Sequence, residues 1–123
     1  MPDLITKIKG IRDKLLKEGK ELRLFALFKK ENEDMMWDLV VSANWAQDDY
    51  KKAIGEISQL LQKELSDEEL LMISAIYVVT KEDSMIKVLS GFAGKMKDSH
   101  IQNCNINGIQ IREAFVLEYN PAI

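Results

Sequence analysis

Residues 21 to 43 constrain the fold more than any other stretch, and they read ELRLFALFKKENEDMMWDLVVSA. Side chains of a β-strand alternate between two faces. One face of a first strand carries Leu22, Leu24, Ala26 and Phe28, and one face of a second carries Trp37, Leu39, Val41 and Ala43. The charged KENED between them has no apolar periodicity and predicts a turn. The stretch therefore predicts a β-hairpin.

Neither strand of this hairpin is amphipathic, because Phe25, Leu27 and Val40 make the remaining face partly apolar. Strands that are apolar on both faces are usually covered on both sides. The chain has few amphipathic helices for that purpose, so we expect some of these side chains to be exposed in a monomer. Phe25, Leu27 and Val40 are therefore candidate interface residues of a homodimer, through sheet surface or a strand edge. The alternative is a monomer in which the first helix covers this face.

Length and cysteine usage limit the class of protein. A chain of 123 residues without an internal break predicts one domain, residues 1–123. Cys104 is the single cysteine, so no internal disulfide forms and a reducing compartment is favoured. The N-terminus lacks a signal-peptide pattern, and the longest apolar run, 70–79, is too short to cross a bilayer. We expect a soluble, cytoplasmic protein without a membrane partner.

The distribution of charge argues against a dedicated nucleic-acid binder, because the net charge is −3. Residues 1–33 carry an excess of basic side chains and residues 34–69 an excess of acidic ones. Lys7, Lys14 and Lys17 share one face of the first helix. A solvated helix face is the simpler interpretation of these lysines, and contact with phosphates is the alternative.

Apolar periodicity predicts helices at residues 3–18, about 45–65 and about 84–95. The second has the clearest apolar stripe, which includes Tyr50 and Ile57 and predicts a buried face. Ser66 and Glu69 form a capping-box pattern that predicts a short helical turn between the second and third helices.

Three further strands are predicted. ISAIYVVT at residues 73–80 is apolar on both faces and predicts a central strand. Asn107 and Gly108 favour a type I′ turn, which pairs Ile106 with Ile109 and Cys104 with Ile111. The same register places a polar surface patch on this hairpin: Asn103, Asn105, Gln110 and Arg112.

The predicted element order is αββα(α)βαββ. It indicates an α+β fold, a two-layer sandwich of a mostly antiparallel sheet of about five strands and three to four helices.

No established catalytic pattern passes a geometric test. His100 and Cys104 lie four residues apart on a predicted strand, about 13 Å, which is too far to share a metal or act as a nucleophilic pair. The chain contains no phosphate-binding loop and no serine-hydrolase elbow. We therefore predict no metal site and no cofactor. Asp38 is the remaining catalytic candidate, because aspartate is depleted in strands; the alternative is a rim carboxylate paired with Arg23.

These observations favour a non-enzymatic interaction or regulatory module that acts as a homodimer, with a further protein partner open. One alternative is a metal-dependent hydrolase or nuclease-like enzyme that uses Asp38 and neighbouring carboxylates. The other is a weak nucleic-acid binder that uses the lysine face of the first helix.

Overall fold

The computed structural model describes residues 2–30, 36–91, 95–106 and 108–123. The α+β class and the five-stranded, mostly antiparallel sheet agree with the prediction. In chain order the elements are α1 (Pro2–Lys17), β1 (Leu24–Lys30), β2 (Trp37–Ser42), α2 (Asn44–Asp48), α3 (Tyr50–Glu64), α4 (Asp67–Leu70), β3 (Ile73–Val78), α5 (Ser84–Ser90), β4 (Met96–Ile106) and β5 (Ile109–Tyr119).

The strand order in the sheet is β3-β2-β1-β5-β4. β1 pairs antiparallel with β2 and with β5, and β5 pairs antiparallel with β4. The predicted hairpin of residues 21–43 is confirmed by the β1–β2 register, which places Phe28 opposite Asp38 and Leu24 opposite Ser42. Its predicted turn at residues 30–34 lies, apart from Lys30, outside the described residues.

The C-terminal hairpin has the register expected from its turn. Ile106 lies opposite Ile109, and Cys104 lies opposite Ile111. Gly108 has a φ of 81°, the left-handed conformation that a type I′ turn requires at its second position. Asn107, at the first position, lies outside the described residues.

The prediction that residues 73–80 form a central strand is wrong, because β3 lies at an edge of the sheet. β3 pairs in parallel with β2, with Leu39 opposite Ile76 and Val41 opposite Val78. Parallel neighbours need a long crossover, and residues 43–72 supply it as α2, α3 and α4. β3 is therefore apolar although only one strand, β2, pairs with it.

Each face of the sheet has its own apolar cluster. The larger cluster lies on the face that packs against α1 and α3, and its fully buried members include Ile8, Ile11, Phe25, Leu27, Trp37 and Ile57. The smaller cluster lies on the other face with α5 and includes Leu24, Phe28, Val40, Ile86 and Leu89. The second face is therefore covered within one chain.

This coverage corrects the expectation for the candidate interface. Phe25 and Leu27 are 0% exposed and Val40 is 3% exposed, so none of the three is a surface residue of the monomer. They do not share a face either, because Phe25 and Leu27 belong to the larger cluster and Val40 to the smaller one. The first helix covers Phe25 and Leu27, as the monomer alternative required, and α5 covers Val40.

The predicted helix at 45–65 is divided at Asp49, whose φ of −150° is not helical. The Asp49 carboxylate accepts a hydrogen bond from the Lys52 N–H at 3.2 Å and caps α3. Ile57 is fully buried, as predicted from the apolar stripe, but Tyr50 is 55% exposed. Tyr50 is the first residue of α3, and the buried stripe of this helix begins only at Ala53.

Candidate functional site

Asp38 is the second residue of β2 and is only 4% exposed. It lies opposite Phe28 of β1 and Ala75 of β3. The predicted pair with Arg23 does not form, because Arg23 precedes β1 and bonds instead to Ser42 at the far end of β2. In the described ranges, no group of three or more histidine, cysteine, aspartate or glutamate side chains could hold a metal ion.

Arg23 is the centre of a buried polar cluster that sequence reasoning did not identify. Its guanidinium is 1% exposed and donates hydrogen bonds to four oxygens, on Ser42 (2.6 Å), Gln47 (2.7 Å), Asn44 (2.6 Å) and the main chain of Ile123 (2.9 Å). Burial lowers the pKa of Arg23 below its ordinary value, and the attraction of Glu82 only partly offsets this. The cluster joins the start of β1, the end of β2, α2 and the segment after β5, so its role is structural.

His100 belongs to a ring of contacts that crosses four strands. Its Nε2 lies 3.0 Å from Glu113 Oε2, and its imidazole stacks on Phe115 with 4.3 Å between ring centroids. Phe115 contacts Trp37 at 5.5 Å, and Lys29 Nζ lies 4.6 Å from the Trp37 ring and 3.9 Å from Glu113 Oε1. His100 is therefore packed against its neighbours on the edge strand β4. These contacts connect β4 to β5, β1 and β2.

The predicted polar patch lies on the exposed end of the β4–β5 hairpin. Asn103, Asn105, Gln110 and Arg112 are all exposed, and Asn105 lies opposite Gln110. Asn105 Oδ1 accepts a hydrogen bond from the Gly108 N–H at 3.0 Å, so this side chain supports the turn. Asn103 has a φ of 51°, which bends β4 at this point.

The two edge strands of the sheet differ in how they are protected. β4 carries Lys97 and Asp98, and Asp98 and Asn103 both have positive φ, which interrupts its extended edge. β3 has the sequence ISAIYV, six residues without a charge, a proline or a positive φ. Proteins usually protect a sheet edge with charges, prolines or bulges, because open backbone groups pair with other strands. β3 has one irregularity, a register shift against β2 between Trp37 and Asp38, but it carries no charge and no proline.

Three large apolar side chains are exposed on β3 or on the elements next to it. In the described part of the chain, the large hydrophobic side chains that are exposed are Tyr50 (55%), Leu71 (76%) and Tyr77 (47%). Tyr77 lies in β3 opposite Val40 of the smaller cluster, so it is on the face of the sheet away from α3. Leu71 lies two residues before β3 and Tyr50 begins α3, so the three side chains lie at separate places around this edge.

A groove of about 310 Å³ runs between α3 and β3. Its walls are Ile54, Ser58 and Leu61 of α3, and its floor is Ser74, Ala75 and Ile76 of β3. The groove is therefore bordered by a helix on one side and by the open strand edge on the other. Grooves of this shape accept an extended segment that pairs with the strand while its side chains contact the helix.

The backbone of β3 presents hydrogen-bonding groups at this edge. The Val79 N–H donates to the Val41 carbonyl at 2.9 Å, so the main-chain groups of Val79 point toward β2. Successive residues of a strand direct these groups to opposite sides. The N–H and C=O groups of Val78 and Ile76 therefore point away from β2. Sequence reasoning missed this site because the apolar, uncharged pattern of residues 73–78 is also that of a central strand.

No helix in the described residues is both long enough and apolar enough to cross a membrane. Neither the models of protein families, nor the curated proteins, nor the solved structures contain a match to this chain.

Proposed function

We propose that the protein is a non-enzymatic interaction module that binds another polypeptide by adding a strand to β3, and that it works as a homodimer in the cytoplasm. The observation that carries this proposal is an edge strand without charges that exposes Tyr77 and borders a groove beside α3. Strand addition uses the free main-chain groups of the edge for affinity and the adjoining groove for selectivity. The single cysteine supports a reducing compartment.

The two alternative functions have less support. Asp38 is 4% exposed, so a substrate could reach it only if the sheet or α5 moved. Of the lysines on the first helix, Lys7 is held by Glu69 with 2.7 Å between Nζ and Oε1. That pair neutralises one of the three positive charges on which contact with phosphates would depend.

A peptide that copies residues 71–80, extended by lysines for solubility and labelled with a fluorophore, tests strand addition directly. We expect saturable binding by fluorescence anisotropy. The variant Tyr77→Lys should weaken binding at least about tenfold, because a charged side chain on an edge strand opposes pairing. Gln102→Lys places the same charge on the opposite edge, on an exposed residue of β4, and should leave binding unchanged.

Two results would count against strand addition. One is the absence of saturable binding by protein that sedimentation shows to be monomeric. The other is equal loss of binding in Tyr77→Lys and Gln102→Lys, which would indicate a general effect of charge.

A further inference from the structure

We infer that the strand received by β3 is β3 of a second copy of this chain, paired antiparallel about a twofold axis at Ile76. This inference rests on the proposed function and names its partner. The two sheets would then continue as one sheet through the centre of the dimer.

The difference between the two edges of the sheet favours pairing between like edges. If β3 of one copy met β4 of the next, each added copy would leave a free β3, and an open chain of molecules would form. The positive φ of Asp98 and Asn103 interrupts β4 and opposes that contact. Pairing of β3 with β3 uses both uncharged edges at once and closes the assembly at two copies.

The backbone directions of β3 set the register of this pairing. A twofold axis perpendicular to the sheet leaves the same face of both copies on the same side. Opposite residues then point to the same face, so their numbers must be both odd or both even. With the axis at Ile76, the outward-facing Ile76 pairs with its own copy and exchanges main-chain hydrogen bonds with it, as outward groups require. Val78 faces Ser74, which lies at the register shift of β3 against β2.

The side chains of β3 fit this register. Tyr77 of one copy lies opposite Ala75 of the other, so the largest exposed side chain of the strand faces the smallest. No charged residue occurs in β3, so pairing the strand with itself brings no like charges together. Few strands meet that condition, because a charged residue on an edge usually prevents self-pairing.

The ends of the strand favour the antiparallel arrangement. α4, which precedes β3, has three acidic residues in its first turn, Asp67, Glu68 and Glu69. The other end carries both signs, with Lys51, Lys52 and Lys81 beside Asp48, Asp49 and Glu82. An antiparallel dimer keeps the two acidic α4 helices apart, whereas a parallel dimer would place them side by side at a cost in free energy.

The interface extends beyond the strand itself. Ile54 and Ser58 of α3 line the groove, and Tyr50 lies one turn before Ile54 on the same side of the helix. About the twofold axis this stripe faces its own copy, with Leu71 at the end of the contact. Stable dimers bury on the order of 800 Å² on each partner. A strand of six residues would not reach that area alone, and the α3 stripe adds to it.

Sedimentation equilibrium and cysteine cross-linking together test both the partner and the register. We expect wild type to form dimers at micromolar concentration and Tyr77→Lys to raise the dissociation constant at least about tenfold. Gln102→Lys should behave as wild type. For cross-linking, Cys104→Ser removes the native thiol, and the double substitution Ala75→Cys with Tyr77→Cys is added.

With the axis at Ile76, Ala75 and Tyr77 form a non-hydrogen-bonded pair with Cα atoms about 4.5 Å apart, which a disulfide can bridge. The double variant should therefore cross-link under mild oxidation, and Ala75→Cys alone should not. A cross-link in Ala75→Cys alone would move the axis to Ala75 and overturn the register. A dimer in which neither variant cross-links would overturn the β3 interface.

The test separates this inference from the function on which it rests. A wild-type protein that stays monomeric but binds the peptide of residues 71–80 would overturn self-pairing and leave strand addition intact. A monomer that does not bind the peptide would overturn both.

Discussion

Arg23 illustrates how a single residue can organise several elements. It is 1% exposed, and the side chains that accept its hydrogen bonds, Ser42, Asn44 and Gln47, are neutral. The planar guanidinium directs its donors in fixed directions, so one side chain satisfies Ser42, Asn44 and Gln47 together. Lysine has the same charge but cannot reproduce this geometry.

Arg23→Lys should therefore lower the free energy of unfolding by about 2–4 kcal/mol, because acceptors that lose their charged donor cost roughly 1–3 kcal/mol each. Urea melts measure this difference. The control is Gln102→Lys at an exposed position of β4, which should stay within about 0.5 kcal/mol of wild type. If the two variants were equally stable, the hydrogen-bonding role of Arg23 would be contradicted.

At the scale of the helices, α3 holds a glycine that its conformation does not need. Gly55 lies inside α3, is exposed, and has no heavy atom within 4 Å of the position that a Cβ would occupy. Gly55→Ala should raise the free energy of unfolding by about 0.5–1 kcal/mol, because alanine loses less backbone entropy in a helix. Thermal and urea melts provide the measurement.

Gly19 is the matched control for this substitution. It follows α1 with a φ of 81° and also has open space around the Cβ position. Gly19→Ala should therefore be destabilising through backbone strain alone. If Gly55→Ala were also destabilising, α3 would have to end or bend before residue 55.

The short helix α4 is tied to α1 by a charged hydrogen bond. Lys7 Nζ donates to Glu69 Oε1 at 2.7 Å, and the same carboxylate accepts from the Ser66 N–H at 2.8 Å to complete the predicted capping box. The hydrogen bond from Lys7, followed by that from the Ser66 backbone, lowers the pKa of Glu69 below its ordinary value of 4.5.

The pH dependence of stability follows from the sign of this shift. A carboxyl group whose pKa is lower in the folded state stabilises the fold above its unfolded pKa, and this contribution disappears as the pH falls through the folded pKa. Carboxyl NMR should therefore find Glu69 titrating below 4.5, and Lys7→Met should move its pKa upward. Glu69→Gln should flatten the dependence of stability on pH below about 4.5, whereas the exposed neighbour Glu68→Gln serves as control.

At the scale of the whole molecule, local signals predicted the elements but not the order of the strands. The register of β4 and β5 follows from Asn107-Gly108 and period-two alternation, which are properties of adjacent residues. The position of β3 depends on where a crossover of three helices returns the chain, and no local pattern contains that information. An uncharged apolar strand has the same sequence whether it is central or an open edge.

The candidate interface was misplaced for a related reason. Alternation correctly separated Leu27 from Phe28, but it could not show which helix covers each face. α1 packs over Leu27, and the short α5 covers Phe28 through Ile86 and Leu89. The apolar surface that remains exposed is therefore on the flank of α3 and on β3, where the sequence predicted a buried face.

Amide hydrogen exchange, measured by NMR, tests the proposed dimer at individual residues of β3. β1 has a strand on each side, so its amides are protected whatever the concentration of protein. The Ile76 and Val78 amides point away from β2, so in a monomer they should exchange about as fast as solvent-exposed amides. In the proposed dimer they donate to the second copy and become protected. A hundredfold increase in protein concentration that spans the dissociation constant should therefore slow the exchange of these two amides. The exchange of the Ala75 and Tyr77 amides should stay nearly unchanged, because their N–H groups already face β2.

Tyr77→Lys provides the control, since it should remove the dependence on concentration without altering the protection of β1. The protein could form a dimer while the Ile76 and Val78 amides exchange at the same rate at every concentration. That result would place the interface away from β3. Alternating protection along a single edge strand would be difficult to explain by a general change in stability, because global unfolding exposes all of these amides together.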